Sequence, residues 1–271
     1  RQVIISTSSL TFKTECMNER TLKIAISSQK GGVGKSTCSI LIASILHYLK
    51  NFNCAIVDAD DPQHSIQVLR ERDLAAVQQS DFLKVALYRQ FERTHKKSYP
   101  IIQSNPVNAV QDLEHYLADH PDQHFDVVLF DLPGTLRSEG VIYTISQMDY
   151  VFVPLKADNI VMQSSLQFAE ALEEELVQKH NCDLNGIYLF WNMLDRRERS
   201  DIYQKWNSVI REDNLRLMQS QIPSSARFNK ELSPDHNGIF RSTLFPPDNR
   251  RIQGAGVLEL ADEICSIISL K

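Results

Sequence analysis

The chain has 271 residues, with 29 Lys+Arg against 34 Asp+Glu, a formal net charge of -5 and 42% hydrophobic residues. These are ordinary values for a soluble globular protein, and the length allows a sizeable core. The negative balance also excludes a nucleic-acid binder that works by overall positive charge, which leaves only a local basic patch as a route to DNA.

Residues 1–20 are polar and mixed and lack the apolar core and cleavage site of a signal peptide, so they read as a poorly ordered extension. Met17 stands where a translation start would be natural. Residues 23–28 form an apolar, β-prone run that leads into Gln29-Lys30-Gly31-Gly32-Val33-Gly34-Lys35-Ser36-Thr37 and then into a long apolar helix pattern. Strand, turn of small residues and helix in this order predict a phosphate-binding loop, because backbone N–H groups and the positive end of the helix dipole converge where a triphosphate can sit. Lys35 is placed to reach the β and γ phosphates, and the Ser36 hydroxyl to hold Mg2+. Gly31, Gly32, Val33, Gly34, Lys35, Ser36 and Thr37 are the nucleotide-binding candidates. A plain glycine turn capping a helix would need neither the lysine nor the paired hydroxyls.

The helix from Cys38 should end near Lys50-Asn51. Cys54-Ala55-Ile56-Val57-Asp58 reads as a second buried strand with its acid at the carboxyl end, where open α/β sheets place ligand sites. In Asp58-Ala59-Asp60-Asp61-Pro62-Gln63, proline after aspartate predicts a helix starting near Pro62, capped by one of the two preceding acids. Residues 64–98 are helical, broken near Ser80-Asp81, and the mixed run Arg70-Glu71-Arg72-Asp73 reads as a solvated face. A short strand (99–103), an amphipathic helix (106–117) and a polar loop (118–124) follow.

Phe125-Asp126-Val127-Val128-Leu129-Phe130-Asp131-Leu132-Pro133-Gly134 is the second strong signal: a buried strand that delivers a carboxylate to the edge of the site. Asp131 is the candidate magnesium ligand, acting through water. A short helix (140–147), a strand (150–154), a helix (160–179) and a strand (186–192) complete the alternation. It predicts a doubly wound, mostly parallel α/β sheet with helices on both faces. Asn192 is either a strand-end turn residue or a ligand contact. The terminal helix (256–271) carries three acids and a single lysine, so it should dock on the domain instead of lying on anionic lipid. No apolar run approaches the length of a membrane span. Cys16, Cys38, Cys54, Cys182 and Cys265 show no C-x-x-C and no metal-ligand spacing, so neither a disulfide framework nor a zinc site is expected and a reducing cytoplasm fits.

Lys30-Gly31-Gly32-Val33-Gly34-Lys35-Ser36-Thr37 resembles the deviant Walker A loop of the ParA and MinD ATPases. The standard loop has its first glycine at the position of Gln29, and here a second lysine, Lys30, follows. In that family the extra lysine crosses a dimer interface to the partner's nucleotide. A loop that already holds Lys35 has little room to turn a second ammonium onto the same phosphates, which agrees. Asp58 to Gln63 resembles switch I, usually Asp-x-Asp-Pro-Gln, with one extra acid. The water-orienting carboxylate is then Asp60, by its count from the strand, or Asp61, by its place before the proline. Asp60 is favoured because the strand fixes distance from Asp58, with Asp61 as the cap. Asp131 and Pro133-Gly134 resemble Walker B and switch II.

Asn192 and Ile222-Pro223 fall where the family reads adenine. Asp195-Arg196-Arg197-Glu198-Arg199 falls where it places a basic, non-specific DNA face, although a salt-bridged solvated helix explains the run as well. The resemblance covers nearly the whole chain from Lys23 and implies a single P-loop NTPase domain over 21–271. Lys30, Lys35, Asp60 and Asp61 are its catalytic candidates, with ATP and Mg2+ as cofactors. It further implies an ATP-dependent homodimer without membrane insertion, cytoplasmic or nucleoid-associated, which positions or segregates DNA or another large cargo. Hydrolysis would be slow alone and stimulated by a partner of ParB type or by conjugation machinery. A dethiobiotin-synthetase-like ligase is the alternative on the same fold, but no motif for its small-molecule pocket is present. A nitrogenase-type iron protein is excluded, because no cysteine lies between Cys54 and Cys182.

Overall fold

The computed structural model describes residues 20–134, 140–178, 182, 184–195, 200–234 and 238–270. Residues 1–19, where an extension is expected, and 196–199, most of the expected basic run, lie outside the described residues. The strands are β1 (Leu22–Ile26), β2 (Cys54–Asp58), β3 (Ile101–Gln103), β4 (Val127–Asp131), β5 (Tyr150–Leu155), β6 (Gly186–Leu194) and β7 (Arg216–Pro223). They form one seven-stranded sheet in the order β3-β2-β4-β1-β5-β6-β7. Every pairing is parallel, so the expected doubly wound α/β fold is present. The helices are α1 (Lys35–Ser44), α2 (Ser65–Gln79), α3 (Asp81–Thr94), α4 (Ala109–Asp119), α5 (Val141–Ser146), α6 (Asn159–Leu172), α7 (Ser200–Glu212), α8 (Asn249–Ile252) and α9 (Val257–Ile267).

The central strands are near-continuous apolar runs because both faces of the sheet are covered. Side chains alternate between two cores. Ile24, Ile26, Cys54, Ile56, Val127 and Leu129 join the core beneath α1 and α9, whereas Ala25, Ala55, Val57, Val128 and Phe130 join the core on the opposite face. Extending that period-2 alternation to the strand ends sends Asp58 and Asp131 to the side of α1. The register then sets them side by side, since Asp58 pairs with Asp131 across β2 and β4, and Asp131 pairs with Ile26 of β1. The apolar periodicity of three strands therefore brings two carboxylates to the end of β1, where the loop begins.

One expectation about residues 64–98 holds and one changes. Ser80 does separate two helices, its Oγ accepting the Leu83 N–H at 3.4 Å. The run at 70–73, however, is not a solvated face. Asp73 is buried, and its Oδ2 accepts from Ser242 Oγ (3.0 Å), Thr243 N (2.6 Å) and Thr243 Oγ1 (2.8 Å). Arg70 donates through Nε to Thr243 Oγ1 (2.8 Å) and through NH2 to Tyr99 O (2.9 Å). Residues three apart share a helix face, so Arg70 and Asp73 turn inward while Glu71 and Arg72 remain exposed. The terminal helix docks as expected: Val257, Leu260, Ala261, Ile264 and Cys265 of α9 are buried in the core that α1 also lines. No helix of the described residues is long and apolar enough to cross a membrane.

Candidate nucleotide-phosphate site

After β1, the Ser27 N–H donates to Phe152 O of β5 at 3.1 Å, and the chain turns back to open α1. That turn requires Gly34, whose φ is 87° and where a Cβ would stand 2.5 Å from Asn192 Nδ2. No side chain caps α1 and its first turn holds no acid, so the positive helix end is left without a counter-charge from its own residues. Asn192, near the far end of β6, clamps the loop: its Nδ2 donates to Val33 O at 2.7 Å and its Oδ1 accepts the Met193 N–H at 3.0 Å.

Lys35 is buried, its Nζ lying 3.5 Å from Lys30 O. Burial lowers its pKa, against the opposing pull of the Asp131 and Asp60 charges. The Pro133-Gly134 turn lies directly over it, because a Cβ on Gly134 would be 3.0 Å from Lys35 Nζ and 3.3 Å from Gly31 N. Asp131 is fully buried, and its carboxyl is pushed up to about 7 by burial and by the Asp58 charge, against hydrogen bonds from Ser36 and Ser39 and the charge of Lys35. Ser39 Oγ donates to Asp131 Oδ1 at 3.1 Å, while Asp131 Oδ2 and Asp58 Oδ1 are buried without a hydrogen-bond partner.

Those two orphaned oxygens test whether magnesium fits. A buried polar atom left unpaired costs free energy, and two carboxylates flanked by the Ser36 hydroxyl are short of positive charge. A hard divalent cation that keeps waters and completes its shell with phosphates suits such a donor set. Ser36 and Asp131 would hold it, with Asp58 beside them. When bound, the ion supplies neutralisation of charge on the outer phosphates.

Switch I differs from expectation at the helix start. The Asp60 carbonyl accepts from Gln63 N (2.8 Å) and His64 N (2.9 Å), closing a turn that delays α2 to Ser65. Neither Asp60 nor Asp61 caps it. The buried Asp58 does so, its Oδ2 accepting from Ile66 N (3.1 Å) and Gln67 N (2.9 Å). Asp61 points outward to His64 Nε2 at 3.2 Å, while Asp60 stays half-buried.

A family model described as the CobQ/CobB/MinD/ParA nucleotide binding domain matches residues 24–236. The chain belongs to this family. It is 26% identical over 260 residues to the sporulation initiation inhibitor protein Soj of Bacillus subtilis, covering 90% of this chain and 98% of Soj. Its fold is similar to that of a chain of the MinC:MinD cell division protein complex of Aquifex aeolicus, with a TM-score of 0.58 at 14% identity over 91% of this chain and 96% of that one. It is also similar to a putative plasmid partition protein of Borrelia burgdorferi bound to AMPPNP, with a TM-score of 0.54 at 20% identity over 89% and 98%.

In this nucleotide-binding domain the remaining candidates occupy the carboxyl ends of adjacent strands. Pro223 pairs with Leu194 where β7 meets β6, two residues from Asn192. The amide of Asn192 is engaged on the loop backbone, which accounts for the residue without a base. Sequence reasoning placed Asp58 at the ligand edge of the sheet without a role of its own, and it missed two groups: Ser39 one helical turn after Lys35, and Arg241, whose NH1 donates to Thr37 Oγ1 at 2.8 Å. The helical spacing from Lys35 could have found the first.

Proposed function

We propose that the protein is a Mg2+-dependent ATPase of the ParA type, dimeric with ATP, which positions or segregates DNA or another large cargo and hydrolyses slowly until a partner protein stimulates it. The observation that carries this reading is the meeting of Lys35 with Asp131, Asp58 and Asp60 around an uncapped helix start. In the reading, Lys35 and the loop N–H groups bind the outer phosphates, and Ser36 with Asp131 holds magnesium. Asp60 orients the attacking water, since its charge acts on Lys35 while Asp61 faces His64. Lys30 keeps its ammonium for the partner's nucleotide. Its carbonyl receives Lys35, and among the described residues the ammonium itself forms no hydrogen bond or ion pair. The plasmid partition role for which the similar Borrelia protein is named supports cargo positioning over metabolic ligation.

ATP turnover and melting of two purified variants test the assignment. Asp60→Ala should bind ATP as the parent does and lose turnover by about 100-fold, the pattern of a group that acts only in the transition state. Asp61→Ala should keep both turnover and melting temperature, since it is neither cap nor catalyst here. Normal hydrolysis by Asp60→Ala would remove the proposed role.

A further inference from the structure

α3 is apolar around much of its circumference, yet the fold covers only one side of it. Its buried residues are Leu83 and Gln90, while Val85, Tyr88 and Phe91 stay 47%, 62% and 41% exposed. A helix with apolar residues all round is ordinarily enclosed, and exposed apolar surface of this kind marks contact with another molecule. On one flank, α3, the end of α2 and residues 96–98 border a groove of about 490 Å³. Lys84, Leu87, Tyr88 and Phe91 stand at i, i+3, i+4 and i+7 along α3 and so share the stripe that faces it, with Val77 of α2 opposite.

The charge around this groove has one sign. Lys84, Lys96 and Lys97 line it, and among its described lining residues there is no acid. Lys84 pairs with the exposed Asp81 at 2.8 Å, a surface contact that costs little to give up. Lys96 donates to Asn51 O, and the Lys97 carbonyl meets His47 Nε2 at 2.8 Å, so both backbones are held in place. Residues 81–97 hold five Lys+Arg against two Asp+Glu, whereas the whole chain has 29 against 34. The basic rim is therefore local, and it surrounds an apolar floor.

We infer that the groove docks an acidic amphipathic helix of a partner protein. The apolar stripe of that helix fills the space between Val77, Leu87, Tyr88 and Phe91, and its flanking carboxylates meet Lys84, Lys96 and Lys97. The aliphatic lining from Val77 and Leu87 suits helix side chains, whereas a nucleic-acid strand stacks its bases on aromatic faces. Residues 1–19 carry two cations and two anions, so they offer no net charge to match the lysines. None of the nucleotide-site residues takes part, and the inference stands apart from that reading.

Fluorescence anisotropy with labelled probes, titrated with the full chain in the absence of nucleotide, tests the groove. One probe is a model helical peptide with Leu at i, i+3, i+4 and i+7 and Glu elsewhere; the second has Lys in place of every Glu, and the third is a short single-stranded DNA. The Glu peptide should bind about tenfold more tightly than the Lys peptide, and Tyr88→Ser should weaken it about tenfold, the loss expected of an aromatic anchor. Lys84→Glu combined with Lys97→Glu should reverse the preference between the two peptides, and it decides the matter alone if Tyr88→Ser does not fold. The bound Glu peptide should also slow amide hydrogen exchange in α3 and residues 96–98. Equal binding of the two peptides, or protection elsewhere in the chain, would overturn the inference. DNA that displaces the Glu peptide would make this face a nucleic-acid surface. A parent that dimerises without nucleotide while Tyr88→Ser stays monomeric would make it a contact between copies. Either of these results overturns the inference as well.

Discussion

Lys35→Ala should lose nucleotide binding while remaining folded. In the proposed site the ammonium would be the nearest fixed cation to the bound phosphates, and charge-assisted contacts to two of them are worth about 3 kcal/mol together, roughly a 100-fold rise in Kd. The free protein gains nothing from that charge. Burial lowers the pKa of Lys35 despite Asp131 and Asp60, so the folded chain disfavours the charged form, and removing it should leave the melting temperature no lower than that of the parent. Calorimetry with Mg2+-ATP, paired with thermal melting, checks both halves. Unchanged binding would mean that the loop does not hold phosphate.

Asp131→Asn should lose Mg2+-dependent turnover, by about 100-fold or more, and yet raise the melting temperature of the nucleotide-free protein at pH 8. An Asp carboxyl pushed up to about 7 is ionised at pH 8 only at the cost of burying its charge. The sign follows from the raised folded-state value: the penalty is absent below the ordinary carboxylate range, grows as pH rises through it, and is complete above about 7. The gain in melting temperature should therefore shrink as pH falls toward 4. Mg2+-ATP should stabilise the parent strongly and the variant weakly, because the variant keeps the loop and loses the acid that would hold the ion. Melting curves at both pH values, with and without Mg2+-ATP, measure all of this. A variant that needs Mg2+ as the parent does would remove Asp131 from the metal site.

The parts of the site that sequence revealed are those carried by local periodicity. An apolar run ending at Asp131 and a glycine turn opening α1 announce themselves because strand, turn and helix start are neighbours along the chain. The start of α2 did not, because it depends on a turn closed by the Asp60 carbonyl and on the depth at which Asp58 is buried, and no pattern of residue types states either. Asp73 was misread for a related reason: its partners, Ser242 and Thr243, lie about 170 residues away, and a charge run looks the same whether or not such partners exist. β7 was missed as a strand because it is an edge strand, half-buried and rich in polar residues, with only Met218 and Ile222 buried along it. Arg241 reaches Thr37 across 204 positions and no motif marks it.

Light scattering of the parent and of Lys30→Ala with Mg2+ and ATP, ADP or no nucleotide tests the ParA-type reading most directly. A two-fold dimer would make each trans lysine contact twice, so losing a contact worth roughly 1.5 to 3 kcal/mol on each side is more than a weak dimer tolerates. The expected result is a parent whose mass doubles with ATP and not with ADP, beside a Lys30→Ala variant that still binds ATP but stays monomeric. A Lys30→Ala protein that doubles its mass with ATP as readily as the parent would contradict the trans role.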